Sequence, residues 1–285
     1  MTRKSLFYFA LVGLLWGIPY LLMKVAVEDF PPAAVVAGRT LIGASILIPI
    51  AIYRKKFGGA VLGFKYVVFY ALMEMIGPWI LITTAEQKIN SGLAGLLVST
   101  VPIFATIITS LRGDHSVWQF KRILGIVVGF IGLILVVGIE SLSGNSDPLS
   151  IAMVIVASMG YAYAVIMVTT NLPLVDGIAI NGLAMAITTV FWAPVAVAQW
   201  PSSISMNSAL SLIALGIFST ALAFILFFKV MAEIGPARSS LVTYLNTAIA
   251  VLLGVIILRE PLTVGIIVGL PLVLVGSYLA SKKTA

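Results

Sequence analysis

The sequence is poorest in the residues that soluble catalytic domains depend on. There is no cysteine and a single histidine, His115, and only 9% of the 285 residues are charged. The missing cysteines exclude a disulfide framework, thiolate catalysis and sulfur ligation of zinc or iron–sulfur clusters. One histidine, with no Asp/His or His/His pair within the apolar runs, argues against a metal-dependent or acid–base membrane enzyme. No glycine-rich phosphate loop followed by lysine is present, which argues against ATP-driven transport by this chain. Soluble domains carry about 25% charged residues, so this chain cannot cover a water-exposed surface. What it has instead is 61% hydrophobic residues and a mean hydropathy of +1.15. These values specify an all-α integral membrane protein.

A bilayer-crossing helix needs about 20 apolar residues. Breaks at charges and turn formers leave ten such runs, near 5–24, 33–53, 65–85, 90–111, 120–139, 148–169, 175–199, 207–230, 236–258 and 262–281. No connection is long enough for a soluble domain. The first run is too long, and lacks a small-residue cleavage site, for a cleaved signal peptide. Placing both termini in the cytoplasm puts thirteen of the 17 basic residues on the inner face, while the acids Glu28, Asp29, Glu86, Glu140, Asp147 and Glu260 fall outside. That is the positive-inside pattern of a multi-pass inner-membrane protein. The basic residues are read as topology determinants that meet anionic headgroups, not as a nucleic-acid surface.

The second half repeats the first at an offset of about 145 residues: Leu96 falls on Leu241, Pro49 on Pro194 and Trp16 on Tyr161. Five spans per half is an odd number, so the halves insert with opposite orientation. The reading is ten transmembrane helices as two inverted five-helix repeats, residues 1–143 and 144–285, with a substrate site near the midplane where they meet.

Gly13-Leu14-Leu15-Trp16-Gly17 followed by Lys24 resembles the opening of the drug/metabolite transporter superfamily, specifically its EamA-type exporters. So do Gly92-Leu93-Ala94-Gly95-Leu96-Leu97-Val98-Ser99-Thr100-Val101-Pro102, Leu258-Arg259-Glu260-Pro261-Leu262-Thr263, and Gly269 with Gly276. Two positions depart from the family pattern: Thr247 stands where the ninth span carries proline, and His115 where the fourth-span motif often ends in an acid. The resemblance implies a ten-helix carrier with a central cavity, moving small organic solutes mostly outward. It implies no cofactor and no metal.

Glu74 lies near the middle of the third run. A charge there costs at least about 2.5–3.5 kcal/mol by insertion scales, so it is expected to face a wet interior. It reads as a proton-coupling carboxylate, as a counter-charge for a substrate ammonium, or as a protonated acid bonded to a neighbouring helix, with Tyr70 one turn away as partner. Trp16, Tyr20, Tyr161, Tyr244 and Asn246 are mid-span aromatic or amide groups that want hydrogen-bond partners. They can line a cavity for amphipathic solutes or serve as interhelical glue. Ser99 and Pro102, near the middle of the fourth span, are cavity candidates, Ser99 for substrate binding and Pro102 in a gating or structural role, since the carbonyl freed by proline is tolerated where it faces protein or water. Arg39, in the second span, is assigned a gating or structural role. Lys24, Trp118, Trp192, Trp200, Tyr53 and Tyr278 are expected at the interface. Small metabolites such as amino acids are the expected solutes, lipophilic cations the alternative and a channel the competing class. Protons are a candidate coupling ion, and the chain is expected as a monomer or homodimer.

Overall fold

In the computed structural model, the described residues are 3–113, 119–142, 147–234, 239 and 242–281. His115, Trp118, Arg238, Leu241, Lys282, Lys283 and the junction at 143/144 lie outside them, as does the side chain of Glu140. Every described element is helical. In chain order they are α1 (Arg3–Ala26), α2 (Pro32–Tyr53), α3 (Phe64–Ala85), α4 (Ser91–Leu111), α5 (Phe120–Leu142), α6 (Pro148–Asn171), α7 (Gly177–Ala198), α8 (Met206–Ile234), α9 (Val242–Ile256) and α10 (Val264–Ser281). A short helix, Phe57–Leu62, precedes α3. Seven of these, α1 to α4 and α6 to α8, are long and apolar enough to cross a membrane, and α9 and α10 are shorter apolar helices among the described residues.

Helix starts are written in the sequence. Asp147 accepts from the Ser150 amide at 3.0 Å and Asp176 from Ile178 and Ala179 at 2.9 and 3.1 Å, satisfying amides that the first turn leaves open. The start of α4 is capped from a distance. Glu260, in the α9–α10 connection, accepts from the Ser91 and Gly92 amides at 2.8 and 3.2 Å and from the Ser91 hydroxyl at 2.9 Å. Three helices are interrupted. α4 breaks at Ser99 and Thr100, whose hydroxyls bond the Leu96 and Leu97 carbonyls at 2.6 Å. α3 and α8 each widen into π-helix, at Leu72–Ile76 and Leu215–Leu222.

Lipid offers helices no hydrophobic reason to associate, so close backbone approach supplies the packing. At Gly13 a methyl group would run into Leu245, and at Gly17 into Ile249 and the Asn246 carbonyl, so α1 lies directly on α9. Gly276 meets the backbone of Gly129 where α10 crosses α5. The principal pairings are α1 with α9 and α6 with α4, α3 with α6 and α8 with α1, and α2 with α8 and α7 with α3. To these are added α2 with α7, α4 with α9 and α5 with α10. Exchanging each helix for the one five later leaves this set unchanged. α4 also packs on α10, through a bond from the Ser277 hydroxyl to the Ser99 carbonyl at 2.8 Å.

Candidate functional site

The polar groups that converge at the centre come from α1, α2, α3, α6 and α8. Arg39 on α2 is only 5% exposed. Its guanidinium lies over the Trp79 ring of α3, 3.9 Å from the centroid. Nε and Nη2 both donate to the Thr220 hydroxyl of α8, at 3.2 and 3.1 Å, and Nη1 points at the Met23 sulfur at 3.5 Å. Among the described residues no carboxylate comes within 4 Å of it. Arginine carries five donors in a planar fork that matches a carboxylate. Here that fork is spent on one hydroxyl, a thioether and an aromatic face, and no carboxylate among the described residues contacts it directly. The sequence reading gave Arg39 a gating or structural role; the structure puts it at the middle of the cluster.

Around it stand Tyr20, Tyr161 and Glu86, all within electrostatic reach of the guanidinium. Tyr161 is also within reach of Glu74 and Tyr20. Tyr161 touches the two larger apolar cores at once, one built on α1, α4 and α6 and the other on α2, α3 and α7. Glu74 sits in the π-helical segment of α3, half-buried, and its Oε2 is buried with no hydrogen-bond partner. Tyr70 is not that partner, because its hydroxyl donates to Asn181 Oδ1 at 3.0 Å. Gly160 lets α6 close on this segment, since a methyl there would stand 2.8 Å from the Met73 carbonyl.

The remaining expected residues lie elsewhere. Trp16 packs edge-on against Phe224 and at a tilt against Phe227 of α8, at 5.6 and 4.6 Å between centroids. Tyr244 meets Tyr278 of α10 at 6.3 Å. Asn246 is buried between α1 and α9 and accepts from Thr247 at 3.3 Å. Ser99 spends its hydroxyl on its own helix, and Pro102 follows the break in α4. Of the seven expected binding residues, the structure brings together Tyr20, Glu74 and Tyr161.

Two groups were misplaced by sequence. Trp192, expected at the interface, donates its indole N–H to the Ile76 carbonyl at 3.1 Å, a carbonyl at the end of the π segment. Glu86, expected among outward-facing acids, is 0% exposed with both carboxyl oxygens unpartnered. Lys24 reaches down from α1 and donates to the backbone carbonyls of Glu86 and Ile89 at 2.6 and 2.9 Å, folding the α3–α4 turn inward. Lys24 thereby tethers the α3–α4 turn to α1. Glu86 stands one residue past the end of α3. Burial pushes its carboxyl well above the ordinary carboxylate range, against the pull of Lys24 and Arg39 and with Glu260 adding to the rise. The signal that could have located it is the pair Lys24 and Glu86, one charge at each of two adjoining span ends.

The EamA-like transporter family matches twice, over residues 3–138 and again over 148–282. The chain belongs to that family. It is 27% identical over 277 residues to the uncharacterized transporter YoaV of Bacillus subtilis, covering 94% of this chain and 93% of the relative. With the uncharacterized inner membrane transporter YedA of Escherichia coli it shares 25% identity, over 95% and 90% of the two chains. An uncharacterized transporter of Archaeoglobus fulgidus is 24% identical over 98% and 99%. A crystal structure with 15% identity, covering 98% of this chain and 97% of its own, superposes with a TM-score of 0.69 and shows the same fold. The protein is a helical membrane transporter.

Proposed function

We propose that this transporter exports small carboxylate-bearing metabolites, amino acids and their relatives, by alternating access around Arg39. The observation that carries the reading is a buried guanidinium lying over Trp79 and within electrostatic reach of Tyr20, Tyr161 and Glu86, with no carboxylate within 4 Å among the described residues. A solute carboxylate supplies the missing counter-charge. Glu74, unpartnered on the other side of Tyr161, answers an ammonium or carries a coupling proton. A permanent cation at the centre disfavours lipophilic cations, the alternative class, because like charges in a low-dielectric site repel strongly.

Ten spans in two inverted halves, with both termini in the cytoplasm of an inner-membrane protein, complete the proposal. The family's double match and the exchange symmetry of the helix pairings support the repeat. On the face assigned to the outside, Asp29 accepts from the Ser205 amide at 2.9 Å, the Ser208 hydroxyl donates to the Val25 carbonyl at 3.1 Å, and Glu260 holds the start of α4. These bonds tie one half to the other on that face. The test is counterflow into proteoliposomes from a labelled panel of amino acids, other metabolites and lipophilic cations, at two pH values. The proposal expects saturable counterflow of carboxylate-bearing solutes. Non-saturable flux without counterflow would make the chain a channel.

A further inference from the structure

A groove of about 370 Å³ opens at the ends of α3, α4 and α6, away from the central cluster, lined by Lys65, Tyr66, Phe69, Arg112, Tyr163 and Asn171. Its chemistry is all of one kind. Lys65 lies over the Tyr66 ring at 4.7 Å, Arg112 faces the Tyr163 ring at 5.7 Å, and Phe69 meets Tyr163 edge-on at 5.7 Å. Among the described residues no acid lines it, and neither cation is within 4 Å of a carboxylate. The Asn171 amide is turned onto the Met167 carbonyl at 2.9 Å, closing the inner wall. Two cations thus stand at the mouth of an aromatic trough.

The outer wall of the trough says what the ligand is attached to. Phe69 is 38% exposed, and beside it Phe64, Val68 and Leu72 recur every four residues along α3 as an exposed apolar row. A row of that kind faces acyl chains. Basic pockets between membrane helices bind phosphate headgroups, and a planar guanidinium beside an ammonium suits a phosphodiester. We infer that this groove is a binding site for an anionic phospholipid, whose phosphate lies between Lys65 and Arg112 and whose chains run along Phe69 and the Phe64–Val68–Leu72 row. The groove is separate from Arg39, and its lipid does not depend on which solute the transporter carries.

The test is native mass spectrometry of the purified full chain with added phosphatidylglycerol or phosphatidylethanolamine of matched acyl chains. Wild type retains phosphatidylglycerol preferentially. With about 1 kcal/mol per basic residue near a headgroup, Lys65→Gln and Arg112→Gln each weaken retention about fivefold and the double variant about 25-fold. Lys65→Arg retains the lipid, and so does Lys55→Gln, a basic residue outside the groove. Both groove cations are solvent-exposed, and circular dichroism confirms that the variants fold. Glycerol 3-phosphate, which has the phosphate without the chains, fails to displace the lipid at equal concentration. Equal retention of the two lipids, or a double variant that holds phosphatidylglycerol like wild type, overturns the inference. Displacement by glycerol 3-phosphate overturns it too, by assigning the groove to soluble anions.

Discussion

The π-helical segments of α3 and α8 are the same device carrying different chemistry. They fall at equivalent places under the 145-residue offset, and Glu74 in the first coincides with Ser219 in the second. Both side chains carry a buried oxygen with no hydrogen-bond partner. Trp79, under Arg39, coincides with Phe224, which packs on Trp16, and Trp16 coincides with Tyr161. The backbone and the aromatic frame are shared between the halves, but the charges are not. Ala184 and Met231 stand where the first half has Arg39 and Glu86. Under the proposed alternating-access reading, a repeated scaffold with one-sided charge would give two related conformations different electrostatics, as binding on one side and release on the other requires.

The comparison is broken most severely at Arg39. Arg39→Ala leaves the solute carboxylate unpaired in a buried site and is expected to lower transport efficiency about 100-fold, measured as initial counterflow rate over apparent affinity. Loss of less than threefold would remove Arg39 from the binding site. Next come the two π-segment residues, compared directly. Glu74→Gln keeps size and hydrogen bonding but removes the charge and the proton, and is expected to cost about tenfold in transport, since a bond to a charged group is worth about 1.5–3 kcal/mol. Ser219→Ala is expected to leave transport within about twofold, because neutral hydrogen bonds contribute about 1 kcal/mol or less. Equal effects at the two positions would mean that the asymmetry of charge carries no function.

A stability experiment sharpens the same contrast. Glu260→Ala removes the cap on α4 and is expected to cost about 1 kcal/mol, read as a lower unfolding temperature in detergent. The smallest effect is on pH dependence. The Glu86 carboxyl is held above its unfolded value, so its contribution is present at acid pH and is lost as pH rises through the folded pKa. Asp29 runs the other way: hydrogen bonds from Ser205 and Ser208 hold its carboxyl below the usual range, so its contribution is present above the unfolded pKa and is lost as pH falls. Glu86→Gln is expected to flatten the alkaline side of the stability profile and leave the acid side unchanged.

The helices were legible because a 20-residue apolar run has few alternatives, and the repeat because glycine, proline and aromatic positions kept a constant offset. The π segments were not legible. Glu74 in Leu72–Ile76 and Ser219 and Thr220 in Leu215–Leu222 are polar, but polarity carries no signal for a widened helix turn, and in α3 the segment is packed by contacts such as Gly160 on the Met73 carbonyl and Trp192 on the Ile76 carbonyl. Helix rotation was the second gap. α9 is apolar on most of its circumference, so mid-span position could not say that Tyr244 turns to Tyr278 on α10 and not to the centre. Glu86 was misread because it ends an apolar run, where charges ordinarily meet water, and only the reach of Lys24 across to its carbonyl turns that end inward.

The central claim is that Arg39 recognises a carboxylate. It is tested most directly by pairing each transported amino acid with its decarboxylated amine in proteoliposome counterflow, using wild type and Arg39→Ala. The account predicts that wild type prefers the amino acid by about 100-fold and that Arg39→Ala abolishes the preference. Wild-type counterflow of the amine as efficient as that of the amino acid would contradict it.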